Sequence, residues 1–189
     1  MRERILEAAL RLFAQDGYEN VSLRRLATEV GLSAASLYHY FPHKAALLEA
    51  LAESIAENFE RSTQEIVEKD WEVSHKFREF CVRHVRTLLT NPAQAIIFLR
   101  EAPRHLQEPA RSSFLERQRR YESRVEALIQ EGMQKNLFYS EEMPRFLAIS
   151  LLAALNASAT WYQPGRGLTP EEIGHALARL FLQGLIRNW

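Results

Sequence analysis

The sequence predicts an all-α protein of about nine helices, three short ones at the N-terminus and a helical bundle after them. Three observations lead there. Leu and Ala, both strong helix formers, number 26 and 23, while Val, Ile and Thr together number 22. Residues 43–91, 110–131 and 145–163 contain neither Gly nor Pro, so nothing in them breaks a helix. No hairpin dipeptide separates two alternating apolar runs, which removes the simplest route to a sheet.

Each element follows from its own signals. Ile5, Ala8, Ala9, Leu12 and Phe13 fall on one helical face, and Gly17 stops that helix by offering a cheap left-handed residue. Ser22 caps a short helix over Leu23 to Val30, with Leu23, Leu26, Ala27 and Val30 inward, and Gly31 ends it. Ser33 caps a third helix, Ala34 to Tyr40, which Pro42 closes. A long fourth helix begins near His43 and carries Leu47, Leu48, Leu51, Ile55 and Phe59 on one stripe. It passes from a first domain, residues 1–46, into a second, residues 47–189, without a Gly, Ser or Pro linker. Five more helices are expected at about 71–90, 93–101, 109–134, 141–162 and 170–188. Their breaks lie at Asn91-Pro92, Pro103, Pro109, Asn136, Pro164-Gly165-Arg166-Gly167 and Thr169-Pro170. Thr169 before Pro170-Glu171-Glu172 combines a capping hydroxyl, a first-turn proline and acids at the positive dipole end.

Composition excludes several classes. The 24 basic and 24 acidic side chains cancel, which argues against a wholesale polyelectrolyte binder but not against a local basic patch. A hydrophobic content of 47% rules out general disorder. Cys81 stands alone, so no intramolecular disulfide and no cysteine zinc site can form. The first residues interleave charges with apolar groups, unlike a signal peptide. The longest apolar stretch, Phe146 to Leu155, is ten residues, while a bilayer needs about 20. A soluble, cytoplasmic protein without membrane contact is the expectation. No Gly-x-Ser-x-Gly, phosphate-binding Gly-rich loop or His-Glu-x-x-His occurs, and the six histidines lack ligand spacing. We expect no enzyme, no cofactor and no metal.

The stretch from Leu23 to Phe41 reads as a helix, a glycine turn and a second helix. Ala27 is small enough for close approach, Gly31 permits the sharp turn, and Leu32 and Leu37 fill the angle between the helices. That is a helix-turn-helix, whose second helix docks in the major groove; an ordinary helical hairpin within a bundle has the same spacing. The wider pattern is more specific. Ile5-Leu-Glu-Ala-Ala, Leu12-Phe13, Gly17-Tyr18, Ser22, Leu26-Ala27, Gly31-Leu-Ser33, Leu37-Tyr38 and Tyr40-Phe41-Pro-His-Lys44, then Leu47-Leu48, resembles the TetR family of transcriptional repressors without a gap from residue 4 to about 51. Ser22, Leu26 and Ala35 stand where that family usually has Thr, Ile and often Gly. The resemblance implies an N-terminal three-helix helix-turn-helix domain and a divergent helical C-terminal domain that binds an effector and dimerises.

It also implies roles for single residues. Arg24 matches a position that reaches a base edge, and Ala34, Ala35, Ser36 and His39 match the groove-facing side of the recognition helix. Ser22, Ser33, Tyr38, Tyr40 and Lys44 match sites that hold phosphates. The chemistry agrees: hydroxyls and a Lys at helix ends suit phosphate oxygens, and Arg, His, Ser and Ala methyls can read base edges. Tyr38 and Tyr40 as packing aromatics, and Ser22 and Ser33 as caps alone, are the alternatives. Residues 24–44 hold three basic groups, one acid and two histidines, a local rather than global excess.

Two copies on a palindrome is the usual geometry for such a domain. Leu147, Leu151, Leu152 and Leu155 on one late helix, and Leu177, Leu180, Phe181 and Leu185 on the next, form apolar stripes. Leu151, Leu155, Leu177, Leu180, Phe181 and Leu185 are the dimer candidates, with internal core as the alternative. Phe80, Cys81, His84, Phe98, Phe114, Gln118, Tyr121, Asn156 and Trp161 offer apolar walls with few polar groups, the composition of a small-ligand pocket. A packed core has the same composition. A second, weaker likeness is the run Trp161 to Leu168, which resembles the Trp-Tyr-x-Pro-Gly-Gly loop of TetR-type regulators of fatty-acid and sterol degradation, some responsive to acyl-CoA thioesters. Arg166 departs from it. The expected function is a repressor of lipid or related catabolic genes. It would bind a palindromic double-stranded DNA operator as a homodimer and be released by a small apolar effector, with an acyl-CoA as candidate. The alternative is a DNA-bound adaptor whose second domain binds a protein.

Overall fold

The computed structural model describes residues 1–138 and 141–185, the last of these by its backbone alone. Among them every regular element is a helix: α1 (Arg2–Asp16), α2 (Leu23–Glu29), α3 (Ala34–Tyr40), α4 (Lys44–Val67), α5 (Val73–Thr90), α6 (Pro92–Ile96), α7 (Ala102–His105), α8 (Ala110–Gln134), α9 (Pro144–Trp161) and α10 (Pro170–Leu185). A π-helical turn, Ile97–Glu101, joins α6 to α7 without a break. Counting 92–105 as one run, the described residues form nine helices, as the breaker pattern indicated. The last expected turn, to 188, lies outside the described residues.

Pro103 does not end its helix. It falls in the first turn of α7, where a missing N–H is tolerated, and the strain is absorbed just before it. The Ala102 N–H reaches back five residues to the Ile97 carbonyl rather than four.

The chain packs as two compact units, one of residues 1–57 and 91–116, the other of residues 58–90 and 117–189. In the first unit residues 91–116 return to pack with the N-terminal helices. Its core is Ile5, Ala9, Phe13, Leu26, Leu37, Leu47 and Leu48, all fully buried. In the second unit Phe77, Val85, Leu88, Ile129, Leu151 and Leu155 are equally buried. There Gly174 brings α10 onto α5: a Cβ on it would lie 2.5 Å from the Val82 Cα. No helix of the described residues is long and apolar enough to cross a membrane.

Candidate functional site

The turn between α2 and α3 is built as the residue types require. Ser22 and Ser33 cap the two helices, their hydroxyl oxygens accepting from the Arg25 and Ser36 N–H groups at 3.2 and 3.0 Å. Gly31 takes φ 71°, a conformation that side chains resist. The Leu32 N–H then closes on the Ala27 carbonyl at 2.8 Å. Ala27 and Leu37 are buried, and so the two helices are fixed against each other.

Everything assigned to base or phosphate contact is at or near the surface. Ser22, Arg24, Ser33, Ala35, Tyr38, His39 and Tyr40 are exposed, and Ala34 and Ser36 are half-buried. Tyr38 and Tyr40 leave 49% and 43% of their surface open, so neither is a packing aromatic in this chain. Both serines do cap; the Ser22 hydroxyl keeps its O–H to donate, and the Ser33 and Ser36 hydroxyls lie within hydrogen-bond distance at 2.8 Å. The neighbouring arginines differ in their contacts. Arg25 is tied to Asp16 at 2.7 Å, whereas Arg24 carries no ion pair among the described residues.

Lys44 is more committed than its position in the motif suggested. Its Nζ donates to the Tyr18 and Glu19 carbonyls at 2.9 and 3.2 Å and lies 4.3 Å from the centre of the Tyr18 ring. Burial lowers its pKa, partly offset by Glu19. It therefore pins the turn between α1 and α2.

In the second unit, four of the expected pocket residues, Phe80, His84, Tyr121 and Asn156, meet around one buried imidazole. His84 on α5 has Nδ1 2.8 Å from the Tyr121 hydroxyl of α8, and Nε2 3.0 Å from Asn156 Oδ1 of α9. Burial depresses the imidazole pKa to about 4, against the Asn156 hydrogen bond, so the ring is neutral near pH 7. A neutral imidazole has one donor and one acceptor, and the two partners use both. Phe59, Phe80 and Tyr121 surround it with ring centres 5.2, 5.9 and 5.8 Å away. Phe59, from the α4 stripe, joins them although it was not among the expected pocket residues.

The other pocket candidates fall in different places. Phe98 and Phe114 pack edge to face at 5.4 Å in the first unit. Cys81 is completely buried in the second, and burial pushes its thiol pKa up, which suits a filler rather than a redox group. Gln118 is half-buried, and Trp161 is exposed over 55% of its surface. No group of three or more His, Cys, Asp or Glu side chains among the described residues is placed to hold a metal.

Residues 5–51 match the bacterial regulatory proteins of the tetR family, and residues 70–185 match the tetracyclin repressor-like C-terminal domain. The chain belongs to the TetR family.

This TetR regulator is similar over 99% of its length to the transcriptional repressor KstR2 of Mycobacterium tuberculosis, at 22% identity and with 94% of that protein covered. The crystal structure of the regulator PfmR from Thermus thermophilus superposes with a TM-score of 0.88 at 27% identity, covering 97% of this chain and all of that one. AibR, solved with isovaleryl coenzyme A and operator DNA, shares the fold with a TM-score of 0.86 at 24% identity over 95% of this chain and 96% of its own. Its family makes this protein a DNA-binding transcriptional repressor and not an enzyme.

The late helices of the regulator carry an exposed apolar face, and on α9 it is not the one expected from leucine spacing. Leu151 and Leu155 are completely buried in the core of their own unit. The exposed stripe of α9 is Phe146, Ile149, Ala153, Ala157 and Trp161, rotated round the helix from those leucines. On α10, Leu180 is 64% exposed, and Leu177 and Phe181 are half-buried. The Leu185 side chain lies outside the described residues.

Proposed function

We propose that this TetR regulator binds a palindromic operator as a homodimer and releases it when a small, largely apolar effector occupies the second unit beside His84. An acyl-CoA is the candidate effector, and lipid or related catabolic genes are the candidate targets. The observation that carries the effector reading is the His84–Tyr121–Asn156 node. Three helices contribute one polar group each to an otherwise aromatic surround, which is the composition by which small-ligand sites orient an apolar molecule. Two further points support the acyl-CoA choice: the Trp161–Leu168 loop, and the isovaleryl coenzyme A held by AibR. The exposed faces of α9 and α10 support the dimer, since a large unpartnered apolar surface marks an interaction site.

Release follows from linkage. α4 and α8 each give residues to both units without a break in the helix. A displacement at Phe59 is thereby passed along α4 toward Lys44. Two recognition helices must lie about 34 Å apart, or a multiple of it, to read successive major grooves. An effector that prefers another spacing by 1–3 kcal/mol weakens operator binding about 5- to 150-fold.

Operator binding titrated with acyl-CoAs of increasing chain length, beside the free fatty acids, tests this. Release by one chain-length class supports the reading. No response across the panel from folded, dimeric protein rejects the lipid assignment, and failure of a broad metabolite screen as well favours the protein-binding adaptor.

A further inference from the structure

Glu101 is a carboxylate at 4% exposure, placed in the π-helical turn. Burial of such a group lowers stability unless its oxygens are paired. Here they are. Oε2 accepts the Tyr18 backbone N–H at 3.0 Å, Oε1 meets Arg100 Nε at 2.7 Å, and His105 Nε2 lies 3.6 Å from Oε2. Burial raises the carboxyl pKa, but the Tyr18 N–H, Arg100 and His105 outweigh it and hold the group below its ordinary value, so it is charged.

The residue that Glu101 holds belongs to the turn between α1 and α2. Tyr18 is gripped from several sides: its ring stands 5.2 Å edge-on to Phe13 and 5.0 Å from His105, and Lys44 binds both its carbonyl and its ring. Three residues on, Val21 is buried and Ser22 caps α2. The placement of α2, and with it α3, thus depends on a turn that Glu101 ties down through a single backbone hydrogen bond.

We propose that Glu101 is a positioning residue for operator binding, a latch whose engagement is set by the π turn. A π turn holds one residue more than the α-helix it interrupts. Conversion to regular α-helix would rotate the following or preceding side chains by about 100°, the angle of one residue. That rotation withdraws Glu101 from Tyr18. Pro103 keeps the latch closed, because it has no N–H for the Leu99 carbonyl and its ring clashes with that carbonyl in a regular helix. The π turn and Pro103 together thus fix the register in which Glu101 meets Tyr18.

The test uses the full chain and a duplex selected by the wild-type protein from a random-sequence library. Glu101→Leu removes the acceptor and a buried charge together. It should bind the duplex about tenfold or more weakly, the worth of a hydrogen bond to a charged group, at a temperature where the variant is fully folded. Glu101→Gln keeps an acceptor for Tyr18 and should remain within about threefold of wild type. Pro103→Ala, which leaves Glu101 in place but frees the regular register, should weaken binding as Glu101→Leu does. Wild-type affinity in Glu101→Leu overturns the latch. So does equal weakening in the Leu and Gln variants in step with a fall in melting temperature, which is a structural role only. Wild-type affinity in Pro103→Ala overturns the part given to the π turn.

Discussion

The Tyr121 hydroxyl and His84 Nδ1 lie 2.8 Å apart, with the imidazole neutral and its other nitrogen on Asn156. Unfolded, a histidine has a pKa near 6.5, and folded this one is at about 4. The unfolded chain thus binds the extra proton between those values. His84 therefore contributes stability fully above about pH 6.5, and that contribution is lost as the pH falls toward 4, by roughly 3 kcal/mol at most. Urea midpoints at pH 7.5 and pH 5 should differ more in the wild type than in His84→Leu. Parallel pH dependence in the two proteins would show that the ring is not buried neutral.

Gly174 predicts a second stability effect. Its α10 backbone rests on Val82, and a methyl group there overlaps backbone atoms that cannot move aside. Gly174→Ala should cost about 1–3 kcal/mol despite its better helix propensity, because overpacking outweighs the propensity gain. Gly184, with open space around its Cα, is the control, and Gly184→Ala should be neutral or stabilising in the same thermal melt.

DNA binding should separate into positioning and reading. Tyr38→Phe and Lys44→Ala should weaken binding to all duplexes alike, and Lys44→Ala should also lower the salt slope by about one phosphate contact. Arg24→Ala and His39→Ala should cost about 1–3 kcal/mol on the selected duplex and relax preference at one position per half-site. A change in non-specific affinity alone would remove Arg24 from the base readers.

Charge on the exposed face and truncation in the core should act differently. Leu180→Glu should give folded monomers by light scattering, with operator affinity lost. Leu151→Ala should leave the association state unchanged and lower stability by about 2–5 kcal/mol, the range for truncating a buried leucine. Monomers from Leu151→Ala at full stability would return that residue to the interface.

The N-terminal part was legible in the sequence because its signals are local. Ser22 and Ser33 cap the next few N–H groups, Gly17 and Gly31 take left-handed backbone, and the apolar residues recur at helical spacing. Each is a short-range requirement that a residue type meets by itself, and so the helix-turn-helix and its exposed side chains follow without knowledge of the rest of the fold. The family follows from the same residues.

What only the tertiary structure decided are relations between distant segments. Leucine spacing on α9 marks an apolar helix, but not which part of it faces its own core. Leu151 and Leu155 went inward, and Phe146, Ile149 and Trp161 remained open. Phe59 joined the His84 node and Tyr18 met Glu101, 83 residues away, by packing that no local pattern encodes. Pro103 reads as a helix end, yet surrounding contacts and a single π turn carry the helix past it. Local propensity is worth tenths of a kcal/mol to about 3 kcal/mol per residue, and summed burial across elements overrides it wherever the two disagree.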